Sequence, residues 1–150
     1  MVALDQFDGR ILRELKRDAK QTNVRLAERV GLSPSACLRR VQDLEQRGII
    51  RGYRVVVDRN RMGIGFLTYV SVGLSDHSKA SMEAFERAML ASPEVTECHV
   101  VTGVTEYLLR VETVDMEAYK RFHAEVLGTL PQVTSISSSV VMNSPKDERV

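Results

Sequence analysis

A basic, helix-patterned first part, an acidic, strand-rich remainder and a β-α-β order that occurs twice in that remainder together predict an α+β protein of two small domains. Through Arg61 the chain carries 14 Lys and Arg against 8 Asp and Glu, and the rest carries 7 against 12, so a formal net charge of +1 conceals two oppositely charged parts. A basic part attracts polyanions and gains by releasing their counterions, whereas an acidic part does not compete for the same phosphates. At 150 residues the chain has room for one or two domains.

Leu4, Phe7, Ile11, Leu12 and Leu15 recur at helical spacing, with Asp5 placed to cap and Asp8 near the positive end of the dipole, which predicts a first helix. A second begins near Thr22 or Asn23, with Val24, Ala27 and Val30 as its buried stripe, and closes at Gly31, where a left-handed residue fits. Ser33 can cap a third helix, and Pro34 suits its first turn, where a missing N–H costs nothing. From there Cys37, Val41, Leu44 and Gly48 share one face, while Ser35, Ala36, Arg39 and Gln46 point the other way. Two helices joined this closely, the second with one side to bury and one to offer, make a helix-turn-helix.

The offered side has the chemistry of a DNA groove reader. Small residues at Ser35 and Ala36 let the helix N-terminus approach a duplex, and Arg39 with Arg40 supplies forked donors for guanine edges or phosphate oxygens. Asn23, Ser33 and Pro34 at the same end of the motif, and Arg47, Arg51 and Arg54 past it, are expected to contact DNA as well. Exposed arginines alone do not separate a DNA surface from ordinary solvated charge. Gly31, Ser33-Pro34, the apolar register and Arg51-Gly52-Tyr53-Arg54 in combination favour DNA, with the last run as a wing.

The β-branched run Tyr53 to Asp58 predicts a strand, and the polar Asp58-Arg59-Asn60-Arg61 predicts a linker, which divides the chain into residues 1–52, 53–63 and 64–150. In the last segment Met82-Glu83-Ala84-Phe85-Glu86-Arg87 is echoed by Met116-Glu117-Ala118-Tyr119-Lys120-Arg121, and Pro93-Glu94-Val95-Thr96 by Pro131-Gln132-Val133-Thr134. With the strands Phe66 to Leu74 and Tyr107 to Thr113 added, the order is β-α-β twice over, the ferredoxin-like βαββαβ arrangement. The second echo is more widely spaced, which places an insertion around Gly128. Such a sheet has helices on one face only. Val70 and Val72 alternate with Leu67 and Tyr69, and Leu109 and Val111 with Leu108, so an apolar patch is expected on the open face, and a homodimer to cover it.

The run Leu26-Ala27, Val30-Gly31-Leu32-Ser33-Pro34, Cys37-Leu38-x-Arg40-Val41, Leu44-Glu45, Gly48-Ile49-Ile50-x-Gly52-Tyr53 closely resembles the leucine-responsive and asparagine regulators, the Lrp/AsnC family. Glu97-Cys98-His99-x-Val101-Thr102-Gly103, Tyr107-Leu108-Leu109 and Val140-Val141-Met142 resemble its effector-domain signatures, so the resemblance covers nearly the whole chain. It implies a winged helix-turn-helix joined by a strand linker to an effector-binding and oligomerisation domain, with double-stranded DNA as partner and dimers that assemble into octamers. It also implies an amino-acid effector pocket between dimers, formed by Thr102, Gly103, Val104, Thr105, Glu106 and Tyr107 with Ser135, Ser137 and Ser139 on the facing strand. Family members usually carry an acidic residue straight after the glycine. Here that residue is Val104, which removes the expected ammonium acceptor.

Other chemistry finds little support. His77, His99 and His123 have no metal-ligand spacing, Cys37 and Cys98 suggest no disulfide framework, and neither a Walker loop nor GxGxxG occurs. Ser33 and Ser35 lack a local base. No enzyme activity, metal or cofactor is expected. No run approaches the ~18 apolar residues of a membrane span, and the start at Met1 has no signal-peptide pattern, so a cytoplasmic regulator without membrane contact is expected. Two rivals stay open at this stage. One is an architectural DNA binder that needs no ligand, and the other a sirohaem-decarboxylase-like enzyme, which the acidic second part disfavours.

Overall fold

The computed structural model describes residues 4–147, and the chain divides into two compact units, one through Val55 and the other from Val56. The first unit holds α1 (Gln6–Arg17), α2 (Asn23–Val30) and α3 (Pro34–Gln46). Asp5 and Asp8 form a capping box at the start of α1, each carboxylate accepting from the other's backbone N–H, at 2.9 and 3.2 Å. Gly31 closes α2 in the left-handed region at φ 76°, and Leu32 N–H donates back to Ala27 O at 2.9 Å. Ser33 Oγ then accepts from Ala36 N–H at 3.3 Å to open α3 with Pro34 in its first turn.

Ile11, Leu26, Ala27, Val30, Cys37 and Leu44 form the core of this unit, with Leu12, Leu15, Val41 and Ile49 packed around them. Val24 is not part of it. The side chain is 54% exposed, and Leu26 is buried instead, because the stripe of Leu26, Ala27 and Val30 is centred more than a quarter turn away from Val24.

The second unit contains β1 (Phe66–Leu74), α4 (Lys79–Ala91), β2 (Val95–Val100), β3 (Tyr107–Thr113), α5 (Met116–Glu125), a short 3-10 helix (Leu127–Thr129) and β4 (Val133–Val140). The strands form one antiparallel sheet in the order β2-β3-β1-β4, which is the ferredoxin-like arrangement. The 3-10 helix occupies the insertion expected around Gly128. Val70 and Val72 pair with Leu109 and Tyr107, and these side chains with Val111 meet Phe85 and Met89 of α4 and Tyr119 and Phe122 of α5 in a single core.

Two expectations are corrected. Tyr53 to Asp58 forms no strand: a strand needs a neighbour to pair with its N–H and C=O groups, and this run has none among the described residues, leaving Val55, Val56 and Val57 at 85, 61 and 40% exposure. The open face of the sheet is also less apolar than the alternation suggests. Register places Ser71, Arg110, Glu112, Ser137 and Ser139 on it among Leu67, Tyr69 and Leu108. Arg110 and Glu112 are buried there as an ion pair, Arg59 also pairs with Glu112, and Asp147 lies 3.8 Å from Arg110, so local chain covers the polar end of the face.

Candidate DNA-reading surface and effector turn

Two hydrogen bonds hold the tip of the helix-turn-helix. Asn23 Nδ2 donates to Pro34 O at 2.8 Å and ties the start of α2 to the start of α3, while Ser33 Oγ accepts from the N–H of Ala36 and lies 3.3 Å from Ser35 Oγ. Asn23, Ser33 and Pro34 therefore shape the tip. Past it, Ser35 and Arg39 stand exposed on one face of α3, and neither Arg39 nor its neighbour on that face, Gln42, engages another described side chain.

Arg40 lies a third of a turn round and does something else. Its Nη1 donates to Asp5 Oδ2 at 2.7 Å and Asp8 Oδ1 at 2.8 Å, and its guanidinium lies 5.4 Å from the centroid of the Phe7 ring, which Arg10 approaches at 5.7 Å. The backbone N–H of Asp8, then Arg40, hold the Asp5 carboxyl below its ordinary range, and Asp5, then Asp8, hold the Arg40 guanidinium above its own. Arg40, expected beside Arg39 at the groove, thus clamps α3 to the first turn of α1. Arg47 donates to Asp43 at 2.6 Å along α3. Arg51 and Arg54 are exposed on the irregular run after α3, and between them Tyr53 Oη donates to Glu45 Oε1 at 2.7 Å. Burial first, and the Glu45 carboxylate second, push the Tyr53 hydroxyl up to about 12, so it remains a donor at neutral pH and pins the basic run to the end of α3.

In the second unit the turn from β2 to β3 is closed by Val101 N–H donating to Glu106 O at 2.8 Å. Thr102, Gly103 and Val104 are exposed, Val104 at 98%, whereas Thr105 and Glu106 are half-buried. Glu106 turns its carboxylate inward. Oε2 accepts from Leu74 N–H at 2.7 Å, at the irregularity where β1 and β4 shift register, and Oε1 lies 3.0 Å from His77 Nε2. The Leu74 N–H, then His77, hold this carboxyl below the ordinary carboxylate range. Ser135 reaches the same place: a Cβ on Gly73 would collide with Ser135 Oγ and stand 3.7 Å from Glu106 Oε2, so only glycine leaves the approach open.

The expected effector residues thus divide into three. Glu106 and Ser135 converge on Gly73, joined by His77. Ser137 and Ser139 follow along β4 opposite Ser71 and Tyr69. Tyr107 belongs to the core, because the phase of β3 turns it under the helices, where its ring stacks on Phe85 at 4.5 Å and its hydroxyl donates to Glu86 at 2.9 Å. His77 was missed because 29 residues separate it from Glu106 and only the folded sheet brings them together. Gln42 was missed although its phase on α3 was readable from Arg39.

No group of three or more His, Cys, Asp or Glu among the described residues is arranged to hold a metal, and no helix among them is long and apolar enough to cross a membrane. A winged helix-turn-helix DNA-binding model matches residues 4–51, and the Lrp/AsnC ligand-binding domain matches residues 67–150. The proline dehydrogenase transcriptional activator of Rhizobium radiobacter is 38% identical over 96% of this chain and 92% of its own length. The leucine-responsive regulatory protein of Escherichia coli K12 is also 38% identical, over 95% of this chain and 87% of its own. Among solved structures, a Neisseria meningitidis transcriptional regulator in complex with L-Met superposes with a TM-score of 0.92 at 36% identity, covering 97% of this chain and 94% of that one. A capped recognition helix with a free arginine, a ferredoxin-like second unit and relatives matched along almost their full length converge on one conclusion: this chain belongs to the Lrp/AsnC family of DNA-binding transcriptional regulators, and it is not an enzyme.

Proposed function

We propose that this regulator reads its operator through Ser35, Ala36 and Arg39 of α3, holds flanking phosphates with Arg51 and Arg54, and has its DNA binding modulated by an amino acid or a related small metabolite at the turn from Thr102 to Glu106. The observation that carries the DNA half is Arg39, exposed and unengaged on a helix whose N-terminus is built for close approach. Asn23, Ser33 and Pro34 act by shaping that tip, and Arg40 by fixing the angle of α3. The protein works in the cytoplasm as a homodimer that assembles further, to an octamer in the family's manner. Leu67, Tyr69 and Leu108 on the open sheet face and the unpaired run Val55 to Val57 are the surfaces that a second copy covers.

The effector half rests on Glu106 and Ser135 meeting at Gly73, beside an exposed turn, and on the L-Met bound to the Neisseria meningitidis relative. Titration of specific and random duplexes at fixed salt, with and without each amino acid, tests both halves. Arg39→Ala is expected to cost about 1 to 3 kcal/mol on the specific site and to relax base preference there, whereas Arg51→Ala and Arg54→Ala weaken both duplexes alike. Equal affinities for wild type and Arg39→Ala on both duplexes remove the groove assignment, and amino acids that change neither affinity nor melting temperature leave an architectural binder.

A further inference from the structure

We infer that Gln42 is a second base-reading residue, whose side-chain amide takes the major-groove edge of an adenine within two base pairs of the guanine addressed by Arg39. The inference rests on the proposal that α3 enters the groove, and adds to it a residue and a base.

Three observations carry it. First, Gln42 is exposed and its side chain, like that of Arg39, makes no hydrogen bond, ion pair or ring contact with another described residue, whereas Arg40 is taken by Asp5 and Asp8, and Arg47, just past the end of α3, by Asp43. Second, the phase fits. Three residues along an α-helix advance about 4.5 Å and return to within about 60° of the same direction, so Arg39 and Gln42 project side by side. Base pairs are stacked about 3.4 Å apart, so two side chains spaced in this way meet the same step or the next. Third, the chemistry is specific. An amide offers one donor and one acceptor side by side, matching N7 and the N6 amino group of adenine, just as the guanidinium matches O6 and N7 of guanine.

Neighbouring residues do not fill this role. Gln46 is the last residue of α3, about 6 Å further along the axis than Gln42 and so farther from the end that Ser33 caps. Asp43 is acidic and engaged with Arg47.

Selection of binding sites from random duplexes by the full-length protein, its Gln42→Ala and Gln42→Arg variants and Arg39→Ala tests the assignment. The wild-type motif is expected to contain a guanine with an adenine within two base pairs. Gln42→Ala should lose the preference for that adenine alone and bind the wild-type site about 5- to 150-fold more weakly, with affinity for random duplex unchanged. Gln42→Arg should select guanine at the adenine position. A structural role for Gln42 would instead weaken random duplex and far-UV helicity together, with no change of base. The same motif from wild type and both Gln42 variants overturns the inference while leaving Arg39 in place, whereas no motif from the wild type overturns the groove reading and this inference with it.

Discussion

Arg40 and Arg39 are adjacent and of one chemistry, yet they have different work. An arginine held by two carboxylates and an aromatic ring is a poor phosphate ligand, because DNA would first have to displace bonds of 2.7 and 2.8 Å. Arg40→Ala is expected to weaken specific and random duplexes together and to lower the melting temperature, and Arg40→Lys to recover part of the loss, since an ammonium has donors for both carboxylates but no planar group to lay over Phe7; Arg39→Ala should leave the melting temperature within a degree or two. The clamp also has a pH sign. Asp5 has its carboxyl pKa depressed in the fold from an ordinary 3.8, so the stability it adds is complete above that value and lost as pH falls through the lower, folded value. Thermal melts should therefore show the Arg40→Ala penalty undiminished from pH 5 to 8 and shrinking only below about pH 4. At the effector turn, Glu106 already accepts from Leu74 and His77, and Val104 offers no acceptor. Natural amino acids are expected to bind weakly or with altered selectivity. Calorimetry should show Val104→Asp strengthening at least one of them, because a charge-assisted bond to an ammonium contributes roughly 1.5 to 3 kcal/mol. Tight wild-type binding that the aspartate weakens would mark Val104 as part of a working apolar pocket.

At the scale of elements, α3 depends on its cap. The N–H of Ala36 donates to Ser33 Oγ, and Ser33→Ala should cost about 1 kcal/mol by denaturant titration. Most of this level was legible in the residues. Asp5, Thr22 or Asn23, Gly31, Ser33 and Pro34 mark helix ends by local chemistry that works in any context, and both ends of α2 and the start of α3 follow from them, whereas α3 stops at Gln46, short of the Gly48 that the periodicity placed on its face. The two β-α-β halves could likewise be read from alternation and the Met-Glu-Ala echoes. The run Tyr53 to Asp58 shows where this reasoning stops. Its β-branched residues favour extension, but pairing is a property of two segments and cannot be read from one.

For the whole molecule, the open sheet face and the unpaired valines argue for assembly. Leu108 lies on that face opposite Ser71 of the neighbouring strand and two residues from Arg110 on its own. Leu108→Glu, placing a carboxylate on the apolar part of the face that a second copy would desolvate, is expected to shift sedimentation from an oligomer to smaller species while far-UV spectra keep their shape. A wild-type monomer at micromolar concentration would remove the sheet-to-sheet assembly. Residues alone determined the order of elements, the opposite charge of the two parts, the helix-turn-helix and the family resemblance, because caps, periodicity and composition act over a few positions. Tertiary structure decided which of two neighbouring arginines is free, that Tyr107 is core, that His77, Glu106 and Ser135 share a corner around Gly73, and that the open face is half polar. Each of these depends on the phase of an element against a partner far along the chain, and a side chain's work is settled by what it meets there.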